Sequence, residues 1–371
     1  MPIAQKESAM TLSVPQSRNA APTSKHRRVL SCRRAFSLIE LLVVITIIAI
    51  VIAITVPAIG AARDLARGTA TQSQIQALAT AVGSFQTDNE RVPGYFNAAQ
   101  MSDNDDGFTS MQNVILDLAG GTIDEQEGDD QGLPLLGPNG QAQVHVNAAL
   151  IGIDGSNSRS YLQADAVDFQ SVEGKDGVSN TDNLLVPEIV DSWGMPIMAW
   201  AENEFAPLMA DLDDPQIENF ATENEDAGVA RFYWDQNAPI LNSTGLTDRQ
   251  ISQSESALNT ADKDEVLTAL LGSTGSPLTT AGRRGVVSAN VSTFLPSVSK
   301  GGVMFQSAGR DRVFLSTEDK AYRTLAGVFT YPKNFSPTGQ GRLGDNPWPN
   351  ADNDSGPKDI VGLFNDIVAT N

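Results

Sequence analysis

Between Phe36 and Val56 the chain runs for 21 residues with a single charge, Glu40. At about 1.5 Å of rise per residue this is roughly 30 Å of helix, the thickness of a bilayer's hydrocarbon core. A carboxylate inside such a span costs about 2–3 kcal/mol or more, so it needs a partner and a task. Arg33 and Arg34 precede the run and Pro57 follows it. An ordinary signal anchor would also carry arginines ahead of its apolar span, but has no reason to keep Glu40. A secretory signal peptide requires a shorter core and a small-x-small cleavage site. Val29-Leu30-Ser31-Cys32 is a faint lipoprotein-type box, yet Lys25, His26, Arg27 and Arg28 stand where its apolar segment should be.

The order Arg33-Arg34-Ala35-Phe36-Ser37-Leu38-Ile39-Glu40 resembles the N-terminus of the type IV pilin and type II secretion pseudopilin family. The resemblance implies that a prepilin peptidase cuts between Ala35 and Phe36 and that the new amine of Phe36 is methylated. It further implies that Glu40 pairs with the N-terminus of a neighbouring subunit during filament assembly. Ala35 departs from the family's usual Gly. Residues 1–35 are then a cleaved cytoplasmic leader, longer than is common in the family, with Met10 as an alternative start.

Removing residues 1–35 takes away seven of 25 basic residues and one of 45 acidic ones, leaving 18 against 44 and a net charge of −26. Such a surface repels nucleic-acid phosphates and suits solubility and divalent cations. Cys32, the only cysteine, leaves with the leader. The remainder has no disulfide, which within the resembled family favours the pseudopilin branch.

Residues 36–56 are expected to span the membrane, and 57–89 to continue the helix outside it. Pro57 removes a backbone hydrogen bond and predicts a kink. Ile75, Leu78, Val82 and Phe85 recur at helical spacing and mark a buried face, with Gln74, Gln76 and Thr80 opposite. Helix signals end near Asp88-Asn89, where Val92-Pro93-Gly94 breaks the pattern. Residues 90–371 form the globular part. Within them, Met111, Val114, Ile115 and Leu118 predict a short helix, and acidic, Gly- and Pro-containing residues 121–143 read as loop.

Two further stretches carry the resemblance. Asp191-Ser192-Trp193-Gly194-Met195-Pro196 leads into an apolar strand, as in the segment that begins the terminal antiparallel sheet of the major type II secretion pseudopilin. Asp191 can cap its own turn, Gly194 permits a backbone closed to other residues, Pro196 sets the start of the strand, and Trp193 offers a large apolar face. The role is structural. Val303–Gln306 followed by Ser307-x-Gly309-x-Asp311 is the second stretch, in the expected order. The resemblance also implies a calcium-binding loop near the C-terminus, for which Asp311, Asp352, Asp354 and Asp359 are the candidate ligands. Closely spaced carboxylates are the donors Ca²⁺ prefers, though the spacing is not that of an EF-hand and a solvated turn reads the same residues.

About residues 97–183 and 202–300 are insertions relative to this pattern. The second carries the run Phe232-Tyr233-Trp234, read as core in preference to a sugar-binding platform, and a helix over 262–271. Without the leader, His145 is the sole histidine, and no nucleophile elbow, phosphate loop or dinucleotide fingerprint is present. The expectation is therefore a non-enzymatic α+β protein of type IV pilin-like fold. It is a structural subunit of a secretion pseudopilus or pilus-like filament, set in the inner membrane with its globular part periplasmic. Its partners are prepilin peptidase, copies of itself, other pilin-like subunits and the assembly machinery; nucleic acid is not among them. The alternatives are a minor or tip subunit with an adhesive or substrate-binding domain, and a membrane-tethered periplasmic protein that does not polymerise.

Overall fold

The computed structural model describes residues 37–104, 107–119, 122–123, 133–138, 143–146, 161–162, 166–176, 186–206, 220–261, 263–273, 277–279, 294–296, 298–319, 322 and 361–371. Two compact units divide between Ala58 and Ile59. Helix α1 (Leu38–Asn89) contributes to both and contains Pro57. Its end falls where the sequence breaks the pattern. Glu90 turns into the left-handed region at φ 55° while its N–H still bonds Gln86 O, and the chain then leaves through Val92-Pro93-Gly94.

In the second unit, α2 (Ser110–Leu118) begins with a reciprocal cap: the Thr109 hydroxyl accepts from Gln112 N, and the Gln112 side chain accepts from Thr109 N. The chain after α1 is tied to α2 by Arg91, whose guanidinium grips Asp117 through two bonds of 2.7 and 3.0 Å.

Strands β1 (Thr122–Ile123), β2 (Leu133–Leu136) and β3 (Gln143–Val146) form an antiparallel sheet in the order β1-β3-β2. These residues were expected to be loop up to 143. Pro134 lies in β2, an edge strand, where a missing N–H is tolerated, so its presence did not exclude a strand. Next come β4 (Asp168–Gln170) and β5 (Glu188–Val190), paired antiparallel.

Strand β6 (Met198–Ala201) follows the Asp191–Pro196 turn. The stretch between β6 and β11 then supplies the short parallel pair β7 (Ala221–Thr222) and β8 (Phe232–Tyr233), helices α3 (Ala238–Leu241) and α4 (Lys263–Leu271), and the antiparallel pair β9 (Pro277–Thr279) and β10 (Phe294–Pro296). The chain returns as β11 (Val303–Ser307) and ends in β12 (Ile367–Thr370), giving an antiparallel sheet in the order β12-β11-β6.

Both faces of this sheet are buried. Side chains alternate along a strand, so Ala199, Ala201, Val303 and Phe305 join Ile75, Leu78, Val82 and Phe85 of α1 and Met111 and Ile115 of α2 in one core. Met198, Trp200 and Met304 point the other way into a second core, with Phe220, Phe232, Trp234, Leu258 and Leu267 from the stretch between β6 and β11. Four fully buried α1 side chains are worth on the order of 10 kcal/mol before entropy is subtracted. The architecture is the expected α+β, pilin-like one: a long N-terminal apolar helix with antiparallel sheets. Phe232, Tyr233 and Trp234 are all core residues.

Candidate functional site

In the first unit, Ser37 O accepts from Glu40 N at 3.0 Å and Leu41 N at 3.2 Å, so Ser37 opens α1. This places Glu40 in the first turn, where helix-end N–H groups favour an anion. Fourteen Leu, Ile and Val side chains from Leu38 to Val56 are exposed, with Leu38 at 82% and Ile54 at 68%. An 18-residue window here has a mean hydropathy of 3.0 and buries nothing. Even the hydroxyls are satisfied inside the helix, Thr46 bonding Leu42 O and Thr55 bonding Val51 O. Leaving so many branched side chains in water would cost on the order of 20 kcal/mol, which demands lipid or neighbouring helices around the segment. Ala35 and Phe36 lie outside the described residues.

In the second unit the two resembled motifs meet. Asp191 Oδ1 accepts from Trp193 N and Met195 N, both at 2.9 Å, and Oδ2 accepts from Ser307 Oγ at 2.6 Å. Gly194 takes φ +81°, and Pro196 bridges back to Val190. Burial pushes the Asp191 carboxyl upward, while the Ser307, Met195, Trp193 and Gly194 bonds oppose that rise. Gly309 completes the second motif at φ +66°, and a Cβ there would stand 2.1 Å from Asn365 O, so no other residue fits. Helix α1 docks on this junction: Gln74 Nε2 donates to Val190 O at 2.9 Å and Thr71 Oγ1 accepts from Ser192 N at 3.1 Å. Gln74 was expected opposite the apolar stripe but is buried on the sheet side: it stands one turn before Leu78, at the edge of the stripe itself. Its long amide reaches the Val190 carbonyl.

Asp311, the one proposed calcium ligand among the described residues, accepts from Val313 N at 3.2 Å. Burial and the nearby Asp319 raise its carboxyl to about 6. Asp352, Asp354 and Asp359 lie outside the described residues. Among the described residues, no group of three or more His, Cys, Asp or Glu side chains is placed to hold a metal.

Two buried polar assemblies escaped the sequence reading. Lys175 Nζ lies 3.1 Å from Glu188 Oε1, with both side chains at 1% exposure or less, and Thr109 Oγ1 donates to the same oxygen at 2.6 Å. Trp200 Nε1 donates to Gln306 Oε1 at 3.0 Å, and Gln306 Nε2 donates to Asp366 Oδ2 at 2.7 Å. Lys175 and Glu188 are 13 residues apart and the other partners 60 or more, so no helical or strand spacing signals them, and Lys175 sits in a stretch whose composition is that of a solvated turn.

Residues 30–56 match the prokaryotic N-terminal methylation motif. The motif takes in the Ala35–Phe36 junction, Glu40 and the apolar run. It supports a type IV pilin-like chain that is a substrate of prepilin peptidase and is anchored in a membrane by its N-terminus. No curated protein and no solved structure matches the chain.

Proposed function

We propose that this chain is a structural subunit of a type II secretion pseudopilus or a related type IV pilus-like filament. The peptidase removes residues 1–35 on the cytoplasmic side, Phe36 is methylated, and the globular part stands in the periplasm. The observation that carries this reading is a methylation motif on an exposed apolar span, Leu38–Val56 of α1, whose only carboxylate, Glu40, sits in the first turn of the helix. In the bilayer the helix is covered by lipid. In a filament the same surface packs into a helical bundle, and Glu40 is neutralised by the N-terminal amine of a neighbour, an interaction strengthened by the low dielectric. The absence of cysteine and the single histidine after residue 35 support a non-enzymatic role. We also propose calcium at the C-terminal acidic loop. Its support is the donor chemistry of Asp352, Asp354 and Asp359, together with Asp311 in the turn after β11, half-buried beside Asp319.

The test is intact mass of the membrane-extracted protein combined with electron microscopy of sheared filaments. A chain beginning at N-methylated Phe36 and recovered in filaments is expected. Retention of the leader in most molecules would overturn the processing step, and a processed chain that never enters filaments would leave only a tethered protein.

A further inference from the structure

The acidity of the chain is not evenly spread. Arg63 and Arg67 are exposed on α1. Beside them, the turn after β11 brings Arg310, whose Nε lies 3.2 Å from Asp64 Oδ2. The turn at residues 247–250 brings Arg249, whose Nη1 donates to Trp193 O at 2.8 Å. Trp193 in turn lies over α1 at Gly68, where an added Cβ would stand 3.8 Å from its ring. Arg312 completes the face. Its Nε is buried without a hydrogen-bond partner, and Arg249 and Arg67 add repulsion to the burial that lowers its pKa. The carboxylates beside these arginines are Asp64, engaged by Arg310, Asp191, enclosed in its own turn, the exposed Asp248, and Asp311, half-buried between Arg310 and Arg312 in the chain. Five arginines against four carboxylates reverse the balance of a region that is otherwise strongly acidic.

Arg63 and Arg67 follow Val56, the last residue of the apolar run, by seven and eleven residues. Seven residues span at most about 25 Å even when fully extended, so the chain ties this face to the surface that the run enters. We propose that the face formed by Arg63, Arg67, Arg249, Arg310 and Arg312 binds the anionic phospholipid headgroups of the bilayer that anchors the chain. Guanidinium groups match phosphate oxygens two at a time, and juxtamembrane basic residues are drawn to anionic lipid. Tethering raises the local headgroup concentration far above that of any free anion. The contact would hold the globular unit at the membrane until the helix is withdrawn. The proposal rests on the anchoring reading and not on the filament.

The experiment uses the full chain in nanodiscs of phosphatidylcholine with three parts in ten phosphatidylglycerol, released gently and weighed with its retained lipids by native mass spectrometry. Phosphatidylglycerol should be enriched at least threefold over its share of the disc. The enrichment should fall toward unity in Arg67→Gln/Arg249→Gln. It should also fall in Arg63→Gln/Arg67→Gln, which touches only exposed helix positions and leaves the melting curve unchanged. No enrichment in the wild type, or equal enrichment in both variants, overturns the proposal. So do chain-to-chain cross-links in phosphatidylcholine-only discs that vanish with the same substitutions, because they would assign the face to the acidic surface of a second copy. A chain that alkaline carbonate strips from the membrane fails at the anchoring step, whereas an anchored chain without enrichment fails here alone.

Discussion

At Asp191 both carboxylate oxygens are occupied by donors from two parts of the chain, and the Ser307 hydroxyl ties the motif turn to β11. Removing that hydroxyl would leave a buried acceptor short of a donor, at about 1–3 kcal/mol. Glu40 is different, because among the described residues no basic group pairs with its carboxylate. Glu40→Ala should insert into the membrane at least as well as the wild type, since the apolar span loses a charge. Its recovery in sheared filaments should drop at least tenfold, and equal recovery would end the pairing role. Asp366 supplies a pH dependence. It is fully enclosed, and burial raises its pKa well above the ordinary carboxylate value despite bonds from Gln306 and Leu315. A folded pKa above the unfolded one means that the folded state binds the proton more tightly. This contribution to stability is full below the unfolded carboxylate value near 4 and is lost as pH rises toward the folded pKa. The melting temperature of the detergent-solubilised chain should therefore increase on going from pH 7 to pH 5. Asp366→Asn should flatten that rise while lowering stability overall, because Leu315 N claims the single amide oxygen and Gln306 then faces a donor.

Among elements, β6 shows what the stretch between β6 and β11 does for the sheet. As an edge strand it would present unpaired backbone groups. Gln236 covers them, its Oε1 accepting from Ala201 N at 3.1 Å and its Nε2 donating to Ala201 O at 3.0 Å, while Asn237 Nδ2 donates to Ala199 O at 2.8 Å. Gln236→Ala should lower stability by about 1–3 kcal/mol in chemical denaturation, and the freed edge should raise the tendency to aggregate. An unchanged midpoint would mean that water replaces the amide at no cost. The same logic explains why β6 and β11 are apolar on consecutive positions. A sheet with both faces covered has no solvent side to signal by alternation.

For the whole molecule, calcium is the sharpest open chemistry. Carboxylates crowded near Asp311 repel one another, and a divalent cation would convert that repulsion into attraction. Binding to the folded state alone raises stability by about 2.7 kcal/mol at a hundredfold excess over the dissociation constant. The full chain should melt several degrees higher in millimolar Ca²⁺ than in chelator, with Mg²⁺ a poor substitute. Asp354→Ala/Asp359→Ala should remove the difference. Superimposable curves would mark the loop as a solvated turn.

What the linear chain determined by itself was whatever depends on neighbours in sequence. The apolar run with its lone Glu40 sets a membrane-spanning length of helix, and spacing at Ile75, Leu78, Val82 and Phe85 sets the face that packs. The Asp191–Pro196 turn closes on its own carboxylate, and the end of α1 near Asn89 follows from the proline beyond it. Only the tertiary structure decided the rest, because the partners are remote. The Gln74 amide is tolerated in the core because Val190 O lies across from it, and the Lys175 ammonium because it reaches Glu188 and Gln112. The aromatic residues Phe220, Phe232 and Trp234 joined the second core because they cover the far face of the sheet. The arginines at 67, 249 and 312 became one surface because three separate elements fold to the same place. Charge and burial at these positions are properties of the assembled fold, and no local pattern of residues encodes them.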